Sequence, residues 1–264
     1  MTGLARNVRV YTCAHVDHPL RYNHAMTFYN LFASRSRNRT GMWTKRLQAR
    51  TIFQLGTSGM DDRKLSVLEL GPGDGYIAEL ARARGDQYVA VEGSEAVARK
   101  LSQAGVAVIR SFVPPLPPLP TETGSLDVCY MLHVIEHIRD IYAAMTLVGE
   151  IREHLRPGGR LVIATPEFRY WKQDFYDSDY SHHLPFTRRT LLELLGNEGF
   201  DVTYQSIYTG PVFGYRSLPL YWLTRLVYPQ WLDDLIGRHA RHDVLVRGFW
   251  TLIPNLIVVA QKPA

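Results

Sequence analysis

The stretch VLELGPGDG at residues 67–75 joins a short apolar run to three alternating glycines, and its reading decides the fold. Val67 to Leu70 has the length and composition of a buried strand. Glycines at 71, 73 and 75 let the chain turn sharply and approach a ligand with no Cβ in the way. In an open α/β sheet, ligands sit beyond the carboxyl ends of the strands, where the strand order reverses. The spacing is G-x-G-x-G. A dinucleotide fingerprint, G-x-G-x-x-G, would need glycine at 76, where the chain has Tyr76, so the loop argues against a nicotinamide cofactor. Glu92 follows about 20 residues later at the end of the next apolar run, placed to accept both hydroxyls of a ribose.

Outward from this loop, apolar runs alternate with helical patterns. Strands are expected at 66–71, 87–93, 106–111, 126–132, 159–165 and 201–208, with a last one at 256–262. Helices are expected through 76–84, from Ser94 to a stop at Gly105, over 139–155, and from a cap at Thr187. This alternation implies an α/β, Rossmann-like sheet of about seven strands with helices on both faces. The expected organisation is an N-terminal extension at 1–60, a core at 61–208, a helical insertion at 209–255 and a last core strand within 256–264. The VPPLPPLP tract at 113–120 reads as a stiff connection.

With 46% hydrophobic and 21% charged residues, the 264-residue chain is an ordinary globular protein rather than a disordered or fibrous one. Cys13 and Cys129 make no disulfide framework, and the first residues lack a secretory pattern, so a cytoplasmic setting is expected. No run of about 18 uncharged apolar residues suggests a membrane span. The net charge of +5 is uneven. Residues 1–60 carry Arg6, Arg9, Arg21, Arg35, Arg37, Arg39, Lys45, Arg46 and Arg50 against Asp17 alone; nine minus one gives +8, leaving −3 elsewhere. Such an arm suits nucleic acid, anionic lipid or a phosphorylated substrate, or it is a solvated helix face.

VLELGPGDG, VAVEGS (89–94), LDVCYMLHVIEH (126–137) and LRPGGRLVIATPE (155–167) together resemble the successive motifs of class I S-adenosylmethionine-dependent methyltransferases. The resemblance covers about 66–208. It implies that Glu69 and the Gly71, Gly73 and Gly75 loop hold the methionine end of S-adenosylmethionine and that Glu92 holds its ribose. By the same resemblance Ser111 and Phe112 fall at the adenine, while Leu132 and His133 line the cofactor's other side.

Methyl transfer needs the nucleophile, methyl carbon and sulfur aligned. A hydroxyl acceptor must also lose its proton, and histidine is the usual base near neutral pH. LHVIEH (132–137) and SHHLPFT (181–187) supply candidates in His133, His137 and His182. His133, Glu136 and His137 stand at i, i+3 and i+4, so a helical turn would point them one way. With His182 this set resembles the metal site of small-RNA 3′-end 2′-O-methyltransferases, and also the acidic pattern of ubiquinone-pathway O-methyltransferases. Those families read E-x-x-E-H, where this chain begins with His133. A divalent metal held by His133, Glu136, His137 and His182 would be a transition metal sooner than Mg²⁺. The alternatives are a metal-free histidine base, or structural roles in which Glu136 ties down local backbone.

The stretch 166–186 lies where an acceptor pocket should form, and Tyr170, Trp171, Asp174, Tyr180 and His183 are its candidate substrate contacts. The opposing reading is a surface loop whose aromatics cover the core. Within the insertion, 217–237 mixes apolar and aromatic residues with Arg225 nearby and Arg238 and Arg241 beyond. It reads as a lid, a homodimer surface, or an amphipathic patch on a membrane surface. Aromatic and histidine residues at 18–32, with His18 and His24, suit a cover over the cofactor mouth. The expected function is methyl transfer to a small-molecule hydroxyl acceptor that is a sugar, lipid-linked or phenolic. An RNA 2′-O-methyltransferase and a non-catalytic cofactor-binding scaffold are the rivals.

Overall fold

A computed structural model describes residues 11–12, 39–227 and 249–264. Cys13, His18, His24, Arg238, Arg241 and the arginines at 6, 9, 21, 35 and 37 lie outside the described residues. The chain runs β1 (Tyr11–Thr12), α1 (Arg39–Thr57), β2 (Ser66–Leu70), α2 (Tyr76–Arg84), β3 (Gln87–Glu92), α3 (Glu95–Gln103), β4 (Ala107–Arg110) and β5 (Leu126–Leu132). It continues as α4 (Ile141–His154), β6 (Leu155–Pro166), the short helices α5 (Phe168–Trp171) and α6 (Asp174–Ser178), and α7 (Arg188–Asn197). β7 (Asp201–Thr209), β8 (Val212–Phe213), α8 (Leu218–Val227) and β9 (Asn255–Gln261) complete it.

The sheet order is β1-β4-β3-β2-β5-β6-β9-β7-β8. Its seven long strands give the expected α/β Rossmann-like sheet, with β9 antiparallel between β6 and β7 and short strands added at each edge. The order reverses between β2 and β5, and the crevice at that switch point receives the glycine loop from one side and the 133–140 segment from the other.

Strand alternation divides the core. Leu68 and Leu70 join Ala144, Leu147, Val148 and Ile151 of α4 and Leu191, Leu194 and Leu195 of α7 on one face. Val67 joins Ile52 and Phe53 of α1, Ile77 and Ala81 of α2, and Leu101 of α3 on the other. Part of the basic N-terminal segment is therefore core: Ala49, Ile52, Phe53 and Gly56 form the buried stripe of α1. The Tyr130 hydroxyl donates to the Phe53 carbonyl at 2.9 Å, and a Cβ at Gly56 would stand 2.4 Å from that hydroxyl.

Most boundaries follow from local chemistry. Asp140 caps α4 by accepting from the Ala143 N–H at 2.9 Å, which starts the helix at 141 rather than 139. Thr187 and Thr190 form a reciprocal capping box on α7. β6 begins at Leu155, earlier than expected, because Leu155 already pairs with Leu126; a register shift between Leu126 and Val128 absorbs Pro157–Gly159. At the opposite end of the sheet from the switch-point crevice, buried Asp127 receives Arg63, Arg156 and the Ser66 N–H, tying β5 to the start of β2.

Candidate functional site

The glycine loop turns through left-handed backbone at Gly71, Gly73 and Gly75, with φ of +66°, +50° and +78°. A Cβ on Gly71 would also meet Val134 Cγ2 at 2.6 Å, so loop and post-β5 segment touch only because that side chain is missing. Gly75 then caps α2. Glu92, at the end of β3, accepts from the Ser94 N–H at 2.7 Å and also from the Gly73 and Gly93 N–H groups. Burial pushes its carboxyl up and these backbone donors pull it back down, the balance lying above the ordinary value. The Ser111 N–H donates to the Glu92 carbonyl at 3.2 Å, and the Phe112 ring lies over Gly93. Gly73, Glu92, Ser111 and Phe112 thus share one end of the crevice. Glu69 sits beneath it, buried, accepting from the Tyr88 hydroxyl; burial raises its carboxyl to about 8, against the hydrogen bond that lowers it.

Across the crevice the chain leaves β5 through His133, a non-glycine residue at φ 55°. Its N–H donates to the Ala164 carbonyl at 2.8 Å. The imidazole spans two groups: Nδ1 lies 3.1 Å from Glu136 Oε1 and Nε2 lies 3.0 Å from the Tyr208 hydroxyl. Thr165 donates to Glu136 Oε2 at 3.1 Å, and the Gln48 side chain bonds Tyr208. Glu136 is fully buried. Burial alone would raise its carboxyl, but the His133 hydrogen bond and the neighbouring His133 and His137 hold it below the usual range. With Glu136 ionised, Nδ1 of His133 donates to it and Tyr208 donates to Nε2, so one polarised chain runs from α1 to β6.

Residues 135–137 form one 3-10 turn, and the Glu136 carbonyl accepts from the His183 and Leu184 N–H groups at 2.8 and 3.0 Å. That pairing brings the 179–184 loop against the turn. His137 and His182 face each other with ring centroids 4.8 Å apart. His182 Nδ1 donates to the Phe175 carbonyl, and its ring stacks on Phe175 at 4.6 Å. His137 Nδ1 lies 2.9 Å from Ser181 Oγ and 3.3 Å from the Ser181 carbonyl. Ser181 Oγ itself donates to Asp179 at 2.6 Å, so it accepts from Nδ1. Both rings are thereby set with the proton on Nδ1 and the lone pair on Nε2. One ligating atom from each of Glu136, His137 and His182 lies within 4.8 Å of the others. Burial foremost, with His182 adding to it, lowers the His137 pKa.

The 166–186 loop is anchored in part and exposed in part. Trp171, 8% exposed, donates from Nε1 to the Pro254 carbonyl at 3.0 Å, which leaves it no face for an acceptor. Asp174 pairs with Arg225 of α8 and accepts from Trp250 Nε1 at 3.3 Å. The Tyr170 ring meets Tyr221 at 5.2 Å, and its carbonyl accepts from Arg225. Tyr176, Tyr180 and His183 are exposed.

Residues 37–205, well over half the chain, match the family described as "Methyltransferase domain". This chain belongs to that methyltransferase family. A curated relative, an uncharacterized methyltransferase of Mycolicibacterium gilvum, is 33% identical over 135 residues, 48% of this chain and 49% of the relative. The chain thus aligns with about half the length of the curated relatives it matches. Among solved structures, an S-adenosylmethionine-dependent methyltransferase from Archaeoglobus fulgidus superposes with TM-score 0.57 at 21% identity, covering 89% of this chain and 100% of that one. A Haemonchus contortus N-methyltransferase, in complex with phosphomonomethylethanolamine and S-adenosylhomocysteine, superposes with TM-score 0.57 at 20% identity, covering 82% and 52%. These likenesses show the fold.

As a class I methyltransferase the chain takes S-adenosylmethionine, and the crevice fits it. The glycine turn offers backbone with no side chain beside Gly73, and Glu92 presents a carboxyl at the end of β3. The four-residue metal set of the sequence reading becomes three in the methyltransferase, since His133 turns to Glu136 and Tyr208. The i, i+3, i+4 spacing assumes an α-helical turn, whereas residue 133 is left-handed and 135–137 is 3-10. Sequence reasoning did not find Tyr208, Gln48 or Thr165. Tyr208 lies 75 positions from His133, and no local signal links them.

Proposed function

We propose that this methyltransferase moves the methyl group of S-adenosylmethionine to a hydroxyl of a small-molecule acceptor, with the His137/His182 pair taking the hydroxyl proton. The cofactor supplies an electrophilic methyl on a sulfonium, so the protein's task is alignment and removal of one proton. The observation that carries the reading is the geometry of the pair, from which its tautomer follows. Oxygens of Ser181 and Phe175 hold both Nδ1 protons, and both Nε2 lone pairs are the basic side of rings set 4.8 Å apart. Glu136 favours an imidazolium on His137 once the proton has arrived, against the burial that lowers its pKa. Glu92 and the glycine turn would hold the cofactor, while Tyr180 and His183 on the open part of the loop would meet the acceptor.

A second reading uses the same atoms. A divalent transition metal on Glu136, His137 and His182 would bind the acceptor hydroxyl and acidify it, with Ser181 and the Phe175 carbonyl orienting the rings as outer-shell partners. The convergence of three ligating atoms within 4.8 Å favours it. One experiment addresses both: a methyl-transfer screen over glycans, lipids, phenols and RNA, with and without chelator. An O-methyl product insensitive to chelator supports the histidine base, and loss on chelation with recovery on Zn²⁺ or Mn²⁺ supports the metal. Product methylated only on nitrogen or sulfur would refute the hydroxyl reading.

A further inference from the structure

The helix α8 divides its residues in an unusual way. Tyr221 and Thr224 are buried, Tyr221 against Tyr170. Pro219, Leu220, Trp222, Leu223 and Leu226 form the exposed side, and not one of them is polar. Trp222 is 63% exposed, Leu223 58% and Leu226 80%, and Tyr215, just before the helix, is 73% exposed. A helix face meeting only water carries charges there, and a contiguous apolar patch marks an interaction surface. Arg225, the helix's cation, is drawn inward to Asp174 and the Tyr170 carbonyl. Among the described residues, exposed Arg216 adjoins Tyr215, and Arg169, more than half exposed and paired with Glu167, lies close enough to Tyr215 to act on it electrostatically.

We infer that this face of α8 docks the methyltransferase on an anionic lipid surface. Leucines and a tryptophan with arginines at the rim match the boundary of such a surface, where aromatic rings sit at headgroup level and cations meet phosphate. A second copy of the chain would bury Trp222 and the leucines but would offer Arg216 no phosphate.

The docking face is joined to the 166–186 loop. Asp174–Arg225, Trp250 to Asp174, Tyr221 to the Tyr170 carbonyl at 3.3 Å, and Trp171 to the Pro254 carbonyl fasten α5 and α6 to the insertion. Around them Trp171, Phe175, Tyr221 and Ile253 form a small separate core. A membrane under α8 therefore lies beside the loop that His182 and Tyr180 belong to. Resting on the hydroxyl-acceptor reading above, this assigns the acceptor to the lipid-borne class.

Vesicle co-sedimentation of the full chain tests the docking, and it needs no acceptor, so it can fail or succeed apart from the methyl-transfer reading. Vesicles of phosphatidylcholine alone and with 30% phosphatidylglycerol are compared for the native chain, Trp222→Ser/Leu226→Ser, and Arg216→Glu. We expect binding to the anionic vesicles, at least about tenfold weaker in the double variant, because each buried apolar side chain contributes about that factor. Arg216→Glu should weaken it several-fold, with both variants keeping the native Tm. No binding to either vesicle overturns the inference. So does binding that the double variant leaves unchanged, which would place the contact elsewhere. A concentration-dependent dimer that the double variant dissociates, with no vesicle binding, would assign the face to a second copy and equally overturn it.

Discussion

Glu69 is a carboxyl group whose charge the fold resists, and that resistance is measurable as stability. Its carboxyl titrates at about 8 in the folded protein against an ordinary 4.5, with burial as the largest cause. Between those values the folded chain holds a proton that the unfolded chain has released, so stability falls as pH rises from about 4.5 to about 8. The full difference corresponds to roughly 5 kcal/mol, and the slope between pH 5.5 and 7.5 to roughly 1.4 kcal/mol per pH unit. Glu69→Gln keeps the shape and the acceptor for the Tyr88 hydroxyl while removing the titration. Urea denaturation of cofactor-free protein at pH 5.5, 6.5 and 7.5 should show native and variant close together at the lowest pH. They should then diverge, the variant becoming more stable by about 2–3 kcal/mol at pH 7.5. Other titrating groups are common to both proteins and cancel in the difference. Parallel pH curves would refute the reasoning, since they would mean that Glu69 is as ionised in the fold as in the unfolded chain.

Gly71→Ala combines a left-handed backbone with a Cβ 2.6 Å from Val134, and should cost roughly 2–4 kcal/mol in urea melts and abolish calorimetric binding of S-adenosylmethionine; native-like values for both would count against the loop assignment. Asp127→Asn removes the buried charge that receives Arg63 and Arg156, and should destabilise by roughly 2–4 kcal/mol with cofactor affinity intact, because it lies at the far end of β5. His137→Ala and His182→Ala should each lower turnover by about 10²–10⁴ while far-UV circular dichroism and cofactor affinity stay native. Near-normal turnover in both would end their assignment to the reaction.

What the sequence disclosed follows the range of each interaction. The glycine loop, the Ser94 and Thr187 caps and the strand pattern are local, and residues within a few positions of one another determine them. Helix α1 was also legible in principle: Ala49, Ile52, Phe53 and Gly56 recur at helical spacing, but Arg39, Lys45, Arg46 and Arg50 on the same helix suit a basic arm or a solvated helix face equally well. His133 marks where local reasoning stops. Its left-handed backbone, held by the Ala164 carbonyl, rotates its ring away from His137 and toward Tyr208, which arrives from another strand. The same limit applies to the 166–186 loop. Trp171 and Asp174 have the chemistry of substrate contacts, yet their partners are Pro254, Trp250 and Arg225, supplied by the insertion. Aromatics and acids in a loop beside an active site can hold either an acceptor or another part of the protein. Only the long-range partner decides between them, and here it separates an anchored half at 170–175 from a half at 176–183 on which the Tyr176, Tyr180 and His183 side chains are exposed. Acceptor specificity should therefore respond to substitutions at Tyr180 and His183, while substitutions at Asp174 should loosen α8 from the loop and alter specificity only through that movement.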